Sequence, residues 1–338
     1  MTAAPEATIS NASAASTVPG PVLVTGATGM VGSALCRRLV DARVPVVALV
    51  LDDDPRSQLR RAHTIDQVTV VNGALEDRRA VERAVVVHDV ATIIHLGAQT
   101  LVHAARRDPV GTFESNVAGT WNVLDVARRH PDLVQRVVVA SSDKAYGASD
   151  DLPYREDHPL SGIQPYEASK ACADLIAQSF AATYDLPIGV ARCGNIYGPG
   201  DLNWSRIVPG TIRSLLRNEQ PILRSDGTFV RDYLHVDDVV DGYLALGDSL
   251  TARTIAPGEG WNFSDESPRT VREIYDAVCA AAGRRDTEPN ILGQAPGEIH
   301  DQWLSAAKAR HELGWKPHVG LDAGLATTVE WYRSYLSR

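Results

Sequence analysis

The stretch VLVTGATGMVG at residues 22–32 decides the fold of this chain. It begins with a short apolar run that has the composition of a buried parallel strand. Gly26, Gly29 and Gly32 then follow at every third position. Glycines in such a place permit a tight turn, close approach of a phosphate and close packing of the next helix, whose N-terminus faces the anion. The stretch predicts a dinucleotide-binding loop, although its G-x-x-G-x-x-G spacing differs from the common G-x-G-x-x-G fingerprint and also suits a purely structural turn.

Strand-like and helix-like segments alternate around this loop. Short runs rich in Val and Ile, typical of strands covered on both faces, lie at Val22–Thr25, Val46–Leu51, Val68–Val71, Thr92–His95, Arg136–Ser141 and Ile188–Cys193. Helical stretches between them include Val31–Ala42, Thr112–Arg129 and Tyr166–Tyr184. The alternation predicts an α/β fold with a doubly wound parallel sheet of the Rossmann type and right-handed crossovers.

In the second half of the chain, prolines and glycines separate shorter elements, which indicates a smaller C-terminal substrate lobe interleaved with the first domain. We predict a Rossmann domain over residues 20–195, to which residues 231–247 return as a strand and a helix. Residues 196–230 and 248–338 are assigned to the substrate lobe. Residues 1–19 are nearly all small or polar and are predicted to be a disordered tail.

Composition excludes several classes of function. Of the 338 residues, 44% are hydrophobic and 22% are charged, as is usual in a soluble globular protein. The net charge of −9 argues against nucleic acid as a partner, because a phosphate backbone demands clustered Lys and Arg. The four cysteines form no C-x-x-C pair, so we expect reduced thiols, no metal site and a cytoplasmic protein. No apolar run approaches the ~20 residues of a membrane span, so no membrane partner is expected.

A second motif, PYEASK, places Tyr166 and Lys170 four residues apart on a predicted helix. Side chains at i and i+4 share one helical face. Tyrosine ordinarily ionises near pH ~10, and an adjacent ammonium lowers the pKa of the phenol by favouring the phenolate. The pair alone is a weak signal, since a surface tyrosine beside a solvated lysine is common. Together with the glycine loop, the motif predicts that Tyr166 acts as a base and that Lys170 assists it.

Ser142, Asp143 and Lys144 follow the fifth predicted strand. In doubly wound folds the site lies at the carboxyl ends of the strands, so these residues should meet Tyr166. A hydroxyl at Ser142 can orient a substrate hydroxyl toward Tyr166, and Asp143 adds an acid that simple hydride exchange does not need. The alternative is that this segment only caps a helix or a turn.

The segment after the second predicted strand supplies Asp52 and Asp53, with no arginine before Arg56. An acid at this place bonds the ribose 2′-hydroxyl and repels a 2′-phosphate, so NAD is favoured over NADP. Solvation of a loop by these aspartates is the alternative. His95, at the end of the fourth predicted strand, is interpreted as packing beside the cofactor and not as a catalyst.

Three polar residues in the second half of the chain are candidates for contacts with a diphosphate or a nucleotide: Asn195, Arg206 and Arg231. Arginine suits phosphate because its planar fork presents several donors. A single arginine is more often a solvated surface group. Of the two arginines, Arg231, in the run VRDY, is the stronger candidate.

Together these motifs resemble the extended short-chain dehydrogenase/reductase family, whose members act on nucleotide sugars. The likeness runs from about residue 20 to 336 and rests on GATGMVG, HLGAQTLV, NVAGT, SSDKAYG, PYEASK, RCGNIYGPG, RDYLHVDDV and LGWKP. Within the family, SSDK, PGDLNWSRIVPG and WNFSDES are more similar to the CDP-glucose 4,6-dehydratase branch than to the 4-epimerases.

The resemblance implies NAD as the cofactor and removal of water from a nucleotide-hexose. Tyr166, helped by Lys170, takes the proton of the sugar 4-hydroxyl while the C4 hydride passes to NAD. The 4-ketone then acidifies the C5 proton, Asp143 protonates the departing C6 hydroxyl, and the hydride returns to C6. Ser142 holds the 4-oxygen, and Lys144 stands where many dehydratases place a glutamate as the C5 base.

The resemblance also implies the binding residues. The cofactor set is Gly26, Thr28, Gly29, Met30, Val31, Gly32, Asp52, Asp53, Leu75, Leu96, Gly97, Ala98, Asn116, Tyr166 and Lys170. The substrate set is Gln99, Ser142, Asn195, Arg206 and Arg231. The chain departs from the family pattern at Ala74, which replaces an acid after the third strand, and near Gln302, where many relatives have a phosphate-binding arginine.

Two other functions fit part of the sequence. A nucleotide-sugar 4-epimerase needs the same oxidation by Tyr166 and Lys170, but it has no use for an acid at Asp143. A dinucleotide-sensing binding protein without turnover belongs to another class. The intact set of Ser142, Tyr166 and Lys170 argues against this sensor.

A homodimer is also implied by the resemblance. In relatives, the helices that correspond to Thr112–Arg129 and Tyr166–Tyr184 pair across a two-fold axis, the commonest symmetry of oligomers. Their apolar positions are Phe113, Val117, Trp121, Leu124, Leu175, Ile176 and Phe180. The alternative is that both stripes only cover their own sheet.

Overall fold

The computed structural model describes residues 18–295 and 297–337. Its strands are β1 (Val22–Thr25), β2 (Val46–Val50), β3 (Thr69–Asn72), β4 (Thr92–His95), β5 (Arg136–Ala140), β6 (Ile188–Cys193), β7 (Asn195–Tyr197), β8 (Ile222–Leu223), β9 (Val230–Arg231), β10 (Tyr233–His235), β11 (Gly260–Phe263), β12 (Arg269–Thr270), β13 (Asn290–Ile291) and β14 (Asp301–Gln302). Its helices are α1 (Met30–Asp41), α2 (Gln58–Arg61), α3 (Arg78–Val87), α4 (Val102–Arg107), α5 (Pro109–Phe113), α6 (Gly119–Arg129), α7 (Pro165–Tyr184), α8 (Ile207–Leu216), α9 (Val236–Thr251), α10 (Val271–Ala281), α11 (Ala307–Leu313) and α12 (Leu321–Leu336).

Seven strands form one parallel sheet in the order β3-β2-β1-β4-β5-β6-β11. The strand order reverses between β1 and β4, so the sheet is doubly wound, and the predicted α/β Rossmann fold is confirmed. Helices cover both faces. Along β1, Val24 packs with α1 and α9 on one face, and Leu23 packs with α3 and α6 on the other. Burial on both faces explains why these strands are continuous apolar runs.

The predicted strands agree with the structure to within one residue at each end. The predicted helix Thr112–Arg129 is the larger part of a longer helical run that begins with α5, passes through a π-helical turn at Glu114–Ala118 and ends with α6. Strand β11 was not predicted, and its residues were assigned to the substrate lobe. This strand pairs with β6 and buries Trp261 and Phe263 completely. A strand of four residues beside a glycine carries little local signal, because its pairing partner lies far away in sequence.

A second core lies beside the sheet domain. It joins α8, α10 and α12 through buried side chains that include Ile212, Ile274 and Leu325. A small sheet in the order β12-β9-β14 and a two-stranded pair of β10 with β7 lie next to this core. After β10, helix α9 packs against β5 and β6, so the chain crosses back to the main sheet at this point.

Most of the predicted tail lies outside the described residues. Val18, which the prediction included in the tail, is buried, and the carbonyl of Pro19 accepts a hydrogen bond from Thr92 Oγ1 at 2.7 Å. The packed chain therefore begins no later than Val18. No helix within residues 18–295 and 297–337 is long and apolar enough to cross a membrane.

Candidate active site

The glycine loop has the geometry that a dinucleotide requires. Gly26 has a φ of +67°, and a Cβ built there would lie 2.8 Å from Gly97 Cα. A Cβ at Gly32 would lie 2.2 Å from the Gly26 carbonyl oxygen, so α1 packs directly on the loop. Gly29 caps α1 without a side-chain hydrogen bond, and the first turn has no acidic residue. The N–H groups of this turn therefore suit a pyrophosphate.

Buried polar contacts hold the loop that follows β4. Thr25 Oγ1 accepts hydrogen bonds from the backbone N–H groups of Leu96 and Gly97, both at 3.0 Å. His95 lies between Thr25 Oγ1 at 2.8 Å and Thr120 Oγ1 at 3.0 Å. Burial lowers the pKa of His95 to about 3, so its ring is neutral. His95 thus fixes the backbone that the sequence analysis assigned to the cofactor.

Asn116 supports this loop from the π-helical turn. Its Oδ1 accepts from the Gln99 N–H at 2.6 Å, and its Nδ2 donates to the Gln99 carbonyl at 3.0 Å and to Ser169 Oγ at 2.8 Å. These bonds join the loop to the helix that carries Tyr166. The Asn116 side chain, predicted to bind the cofactor, is therefore used within the protein. Leu75, also in the cofactor set, packs tightly against Gly97, where a Cβ would lie 2.7 Å from Leu75 Cδ1.

The acids after β2 are not equivalent. Asp53 forms an ion pair with Arg60, and Asp54 forms a two-pronged pair with Arg56 at 2.9 Å for both bonds. Hydrogen bonds from these arginines lower the pKa of both carboxyls. Asp52 is exposed and has no side-chain partner among the described residues. Asp52 is therefore the acid that is free for a ribose hydroxyl, and the two arginines are already neutralised.

Ser142 and Asp143 form a hydrogen-bonded unit at the carboxyl end of β5. Ser142 Oγ caps the short 3₁₀ turn Asp143–Tyr146 by accepting from the Lys144 N–H at 3.2 Å. The same hydroxyl donates to Asp143 Oδ1 at 2.9 Å. Asp143 Oδ2 is buried and has no hydrogen-bond partner in the described part of the chain. Since a buried carboxyl oxygen ordinarily has a partner, this one is available to a substrate.

Helix α7 presents Tyr166 and Lys170 to this unit. A capping box between Gln164 and Glu167 begins the helix, so Tyr166 lies in its first turn and Lys170 in the next. Lys170 Nζ donates to the Ala140 carbonyl at 2.8 Å. Burial lowers the pKa of Lys170 to about 8.

The environment of Tyr166 differs from the expectation. The pKa of Tyr166 is raised to about 12, mainly by burial and also by the charge of Asp143, although a hydrogen bond with Ser142 and the charge of Arg206 act in the opposite direction. Lys170 is not among the groups that shift it, because its ammonium is directed to the Ala140 carbonyl. Without bound ligands the phenol is therefore protonated at neutral pH, and assistance of Tyr166 by Lys170 stays a prediction for the form that holds ligands.

The substrate candidates lie on different elements. Arg231, on β9, donates to the carbonyls of Val230 and His300, both at 2.7 Å, and to that of Ile299. Arg206, before α8, pairs with Asp201 at 3.1 Å. Most of the Arg231 donors are thus occupied by backbone carbonyls, and its contact with a phosphate stays a prediction. Asn195 is partly buried at the start of β7.

A buried ion pair behind the site was missed in the sequence analysis. Arg192 on β6 donates to both oxygens of Asp174 on α7, at 2.8 and 3.0 Å, and to Tyr146 Oη at 2.9 Å. Asp174 lies one turn after Lys170 on the same helix. The pair therefore fixes α7 against the sheet and against the 3₁₀ turn that bears Asp143. The spacing of Lys170 and Asp174 was a usable signal, but nothing local identified Arg192.

Gln302 is a second residue that local patterns did not assign. It is fully buried on β14. Its Oε1 accepts from Lys144 Nζ, and its Nε2 donates to the Asp143 carbonyl at 2.9 Å. No sequence motif predicts this contact, because the partners are 158 and 159 residues apart.

The chain combines a doubly wound sheet, a glycine loop, a serine that follows β5, and a tyrosine and a lysine on α7. These features define an NAD-dependent enzyme of the short-chain dehydrogenase/reductase type. The model of the NAD dependent epimerase/dehydratase family matches residues 22–256. The chain belongs to this family.

Individual relatives include both activities. The chain is 30% identical over 329 residues to CDP-glucose 4,6-dehydratase of Salmonella typhimurium, covering 93% of this chain and 91% of that protein. It matches the structure of dTDP-glucose 4,6-dehydratase from Streptomyces venezuelae, solved with NAD, with a TM-score of 0.83 at 29% identity over 93% of this chain and 97% of that one. It also matches UDP-glucose 4-epimerase from Thermotoga maritima, solved with UDP-glucose, with a TM-score of 0.84 at 28% identity over 93% and 99% of the two chains.

Proposed function

We propose that the protein is an NAD-dependent nucleotide-sugar 4,6-dehydratase, which converts a nucleotide-hexose into its 4-keto-6-deoxy product. The observation that carries this proposal is the buried Asp143, whose Oδ2 is free and whose Oδ1 is bonded to Ser142. An oxidation at C4 alone requires no such acid. Elimination of the C6 hydroxyl does require one, because hydroxide is a poor leaving group until it is protonated.

Each polar side chain of the site has one role in this proposal. Tyr166 takes the proton of the sugar 4-hydroxyl, which Ser142 orients by hydrogen bonding. NAD would be held at the glycine loop, where it would supply the hydride chemistry at C4 and C6 and a positive charge that favours the phenolate of Tyr166. Lys170 holds its place against the Ala140 carbonyl. Asp143, in its protonated form, gives a proton to the C6 oxygen, which leaves as water; the proton that Tyr166 takes from the 4-hydroxyl balances the one that Asp143 gives up.

A 4-epimerase remains the second candidate, since the epimerase from Thermotoga maritima has the same fold. The oxidation by Tyr166 would be shared, but the free oxygen of Asp143 would have no role. A dinucleotide sensor without turnover has less support, because it would have no use for the intact set of Ser142, Tyr166 and Lys170. We propose a CDP-hexose as substrate and a cytoplasmic location. The relatives named above act on substrates with three different nucleotide bases, so the base needs direct measurement.

A panel of CDP-, dTDP- and UDP-hexoses, incubated with the pure protein and analysed by mass spectrometry, tests the function. Loss of one water from a substrate identifies a dehydratase. An unchanged mass with a new epimer, resolved by chromatography, identifies a 4-epimerase instead. If the protein changes none of these sugars, neither the dehydratase nor the 4-epimerase proposal is supported.

The free carboxylate of Asp52 leads to a prediction about the cofactor. Denaturing the purified protein should release NAD and not NADP, and turnover should need no added reductant. Asp52→Asn keeps the shape but removes the charge that repels a 2′-phosphate. The preference for NAD over NADP should therefore fall about tenfold, or about 1.4 kcal/mol, by titration calorimetry. Asp150→Asn, at an exposed aspartate of another loop, is the matched control. Recovery of mainly NADP from the wild type would contradict the assignment of Asp52.

The proposed homodimer uses the outer face of α5, α6 and α7. Phe113, Trp121 and Leu175 are 37%, 46% and 53% exposed, whereas Leu124 is fully buried under its own helix. The apolar stripes therefore divide: one part covers the sheet and another faces outward. An outward apolar face of this kind is typical of an interface between copies.

Sedimentation at micromolar concentration should show a dimer. Trp121→Glu places a charge in the centre of the proposed interface and should shift the protein to a monomer, since burying an unpaired charge is costly. Val87→Glu, at a residue that is 65% exposed on α3, is the control and should leave the dimer intact. A wild-type monomer at this concentration would rule out the interface.

A further inference from the structure

The amide of Gln302 joins two groups of the catalytic turn. Its oxygen accepts from Lys144 Nζ while its nitrogen donates to the Asp143 carbonyl at 2.9 Å. Both ends of the amide are therefore satisfied, and the side chain is fully buried. An amide carries no charge, so it orients the lysine nitrogen without stabilising the ammonium as a carboxylate would.

Charged groups face Lys144 from four elements. Burial is the largest influence and lowers the pKa of Lys144; Arg231 on β9 lowers it as well. Asp143 on the same turn, Glu167 on α7 and Glu298 before β14 raise it. The net direction is downward, toward the neutral amine.

The amide of Gln302 and the guanidinium of Arg231 lie on paired strands of the small sheet. Gln302 on β14 is the direct partner of Arg231 on the parallel strand β9. Arg231 is held by the carbonyls of Val230 and His300, so its guanidinium cannot swing away to neutralise another group. These paired strands thus place a neutral acceptor and a fixed positive charge around Lys144 at the same time.

We propose that Gln302 is a positioning residue that holds Lys144 as a neutral amine directed at C5 of the sugar, where Lys144 is the base of the elimination. This inference rests on the proposed dehydratase function and deepens it. The Lys144 amine takes the C5 proton and becomes an ammonium. The C5–H electron pair forms the C5=C6 double bond, and the C6–O bond breaks as the oxygen takes the Asp143 proton and leaves as water. The ammonium later returns its proton to C5.

Gln302→Glu tests this inference, because it replaces the amide by a carboxylate of the same shape. The new charge favours the ammonium and raises the pKa of Lys144. The chain has only four lysines, so competitive acetylation with acetic anhydride, read by peptide mass, follows Lys144 directly. Only the neutral amine reacts. The wild-type labelling midpoint should lie below the ordinary lysine value of ~10.4, and the variant midpoint should lie about one pH unit or more higher. Exposed Lys316 is the internal reference.

The pH dependence of CDP-glucose turnover should also shift to higher pH in Gln302→Glu. A base works in its deprotonated form, so the rate rises with pH through the pKa of Lys144. A raised pKa moves this rising limb to higher pH and, at any pH on the limb, lowers the rate about tenfold for each unit of the pKa change. Gln302→Met is uncharged and of similar length, so Lys144 should keep its low labelling midpoint. Turnover should still fall, because methionine does not hold the Lys144 amine in position.

Gln67→Glu is the matched control, because Gln67 is exposed and makes only a long contact with the His63 carbonyl. It should leave both profiles unchanged. An identical Lys144 midpoint in folded Gln302→Glu and wild type would overturn the inference, whatever the turnover. A wild type that removes water from no nucleotide-hexose would overturn the proposed function instead, and the labelling midpoint would still report on Gln302.

Discussion

Asp143→Asn is expected to stop the reaction after its first half. The asparagine keeps the size of the side chain, and its oxygen still accepts the hydrogen bond that Ser142 Oγ donates to Oδ1. It cannot give a proton to the C6 oxygen. Oxidation at C4 should therefore survive while elimination stalls, so a 4-keto sugar accumulates on the enzyme together with the absorbance of reduced nicotinamide. Overall turnover should fall by about 10² to 10⁴, the usual range for one acid–base group.

The same variant distinguishes the competing functions. Ser142, and not Asp143, caps the 3₁₀ turn, so Asp143→Asn should cost less than the ~1 kcal/mol typical of a lost cap. Asp150→Asn is the matched control for the loss of one charge on an exposed part of the chain. Rapid-scan absorbance, product mass and a thermal melt are the measurements. Normal turnover in a folded Asp143→Asn protein would move the assignment to the 4-epimerase.

Tyr166→Phe is expected to lose the oxidation step itself. The change removes only the hydroxyl, so the ring still packs in the site. Turnover should fall by about 10² or more, as for the loss of a general base. The loss follows from the position of the phenol beside Ser142, which also orients the substrate hydroxyl in the proposed mechanism. NAD binding should hardly change, because the glycine loop carries the pyrophosphate.

Tyr184→Phe provides the control, since Tyr184 is at the other end of the same helix and is 49% exposed. It should leave turnover unchanged. In Tyr166→Phe, no absorbance of reduced nicotinamide should develop with any sugar, which separates this variant from Asp143→Asn. Near-normal turnover of Tyr166→Phe would contradict the proposed mechanism at its first step.

The pH behaviour of Tyr166 depends on more than its own sequence motif. Four residues separate Tyr166 from Lys170 on one helix, and that spacing alone suggests a lowered phenol pKa. In the structure, Lys170 donates to the Ala140 carbonyl, and burial raises the pKa of Tyr166 to about 12. A positive charge brought by a bound ligand would lower this pKa. Helical periodicity predicts which face a side chain occupies, but the direction of its charged end depends on the neighbouring strand.

The sequence by itself determined the Rossmann sheet, the glycine loop and the helix that carries Tyr166. Each is encoded within about 20 consecutive residues, by strand runs, glycine spacing or helical periodicity. The tertiary structure alone decided that Gly260–Phe263 is the seventh strand of the sheet, that Arg192 pairs with Asp174 on α7, and that Gln302 contacts Lys144. These contacts join segments far apart in the chain. Burial and electrostatic fields are sums over such neighbours, so they exist only once the chain has folded.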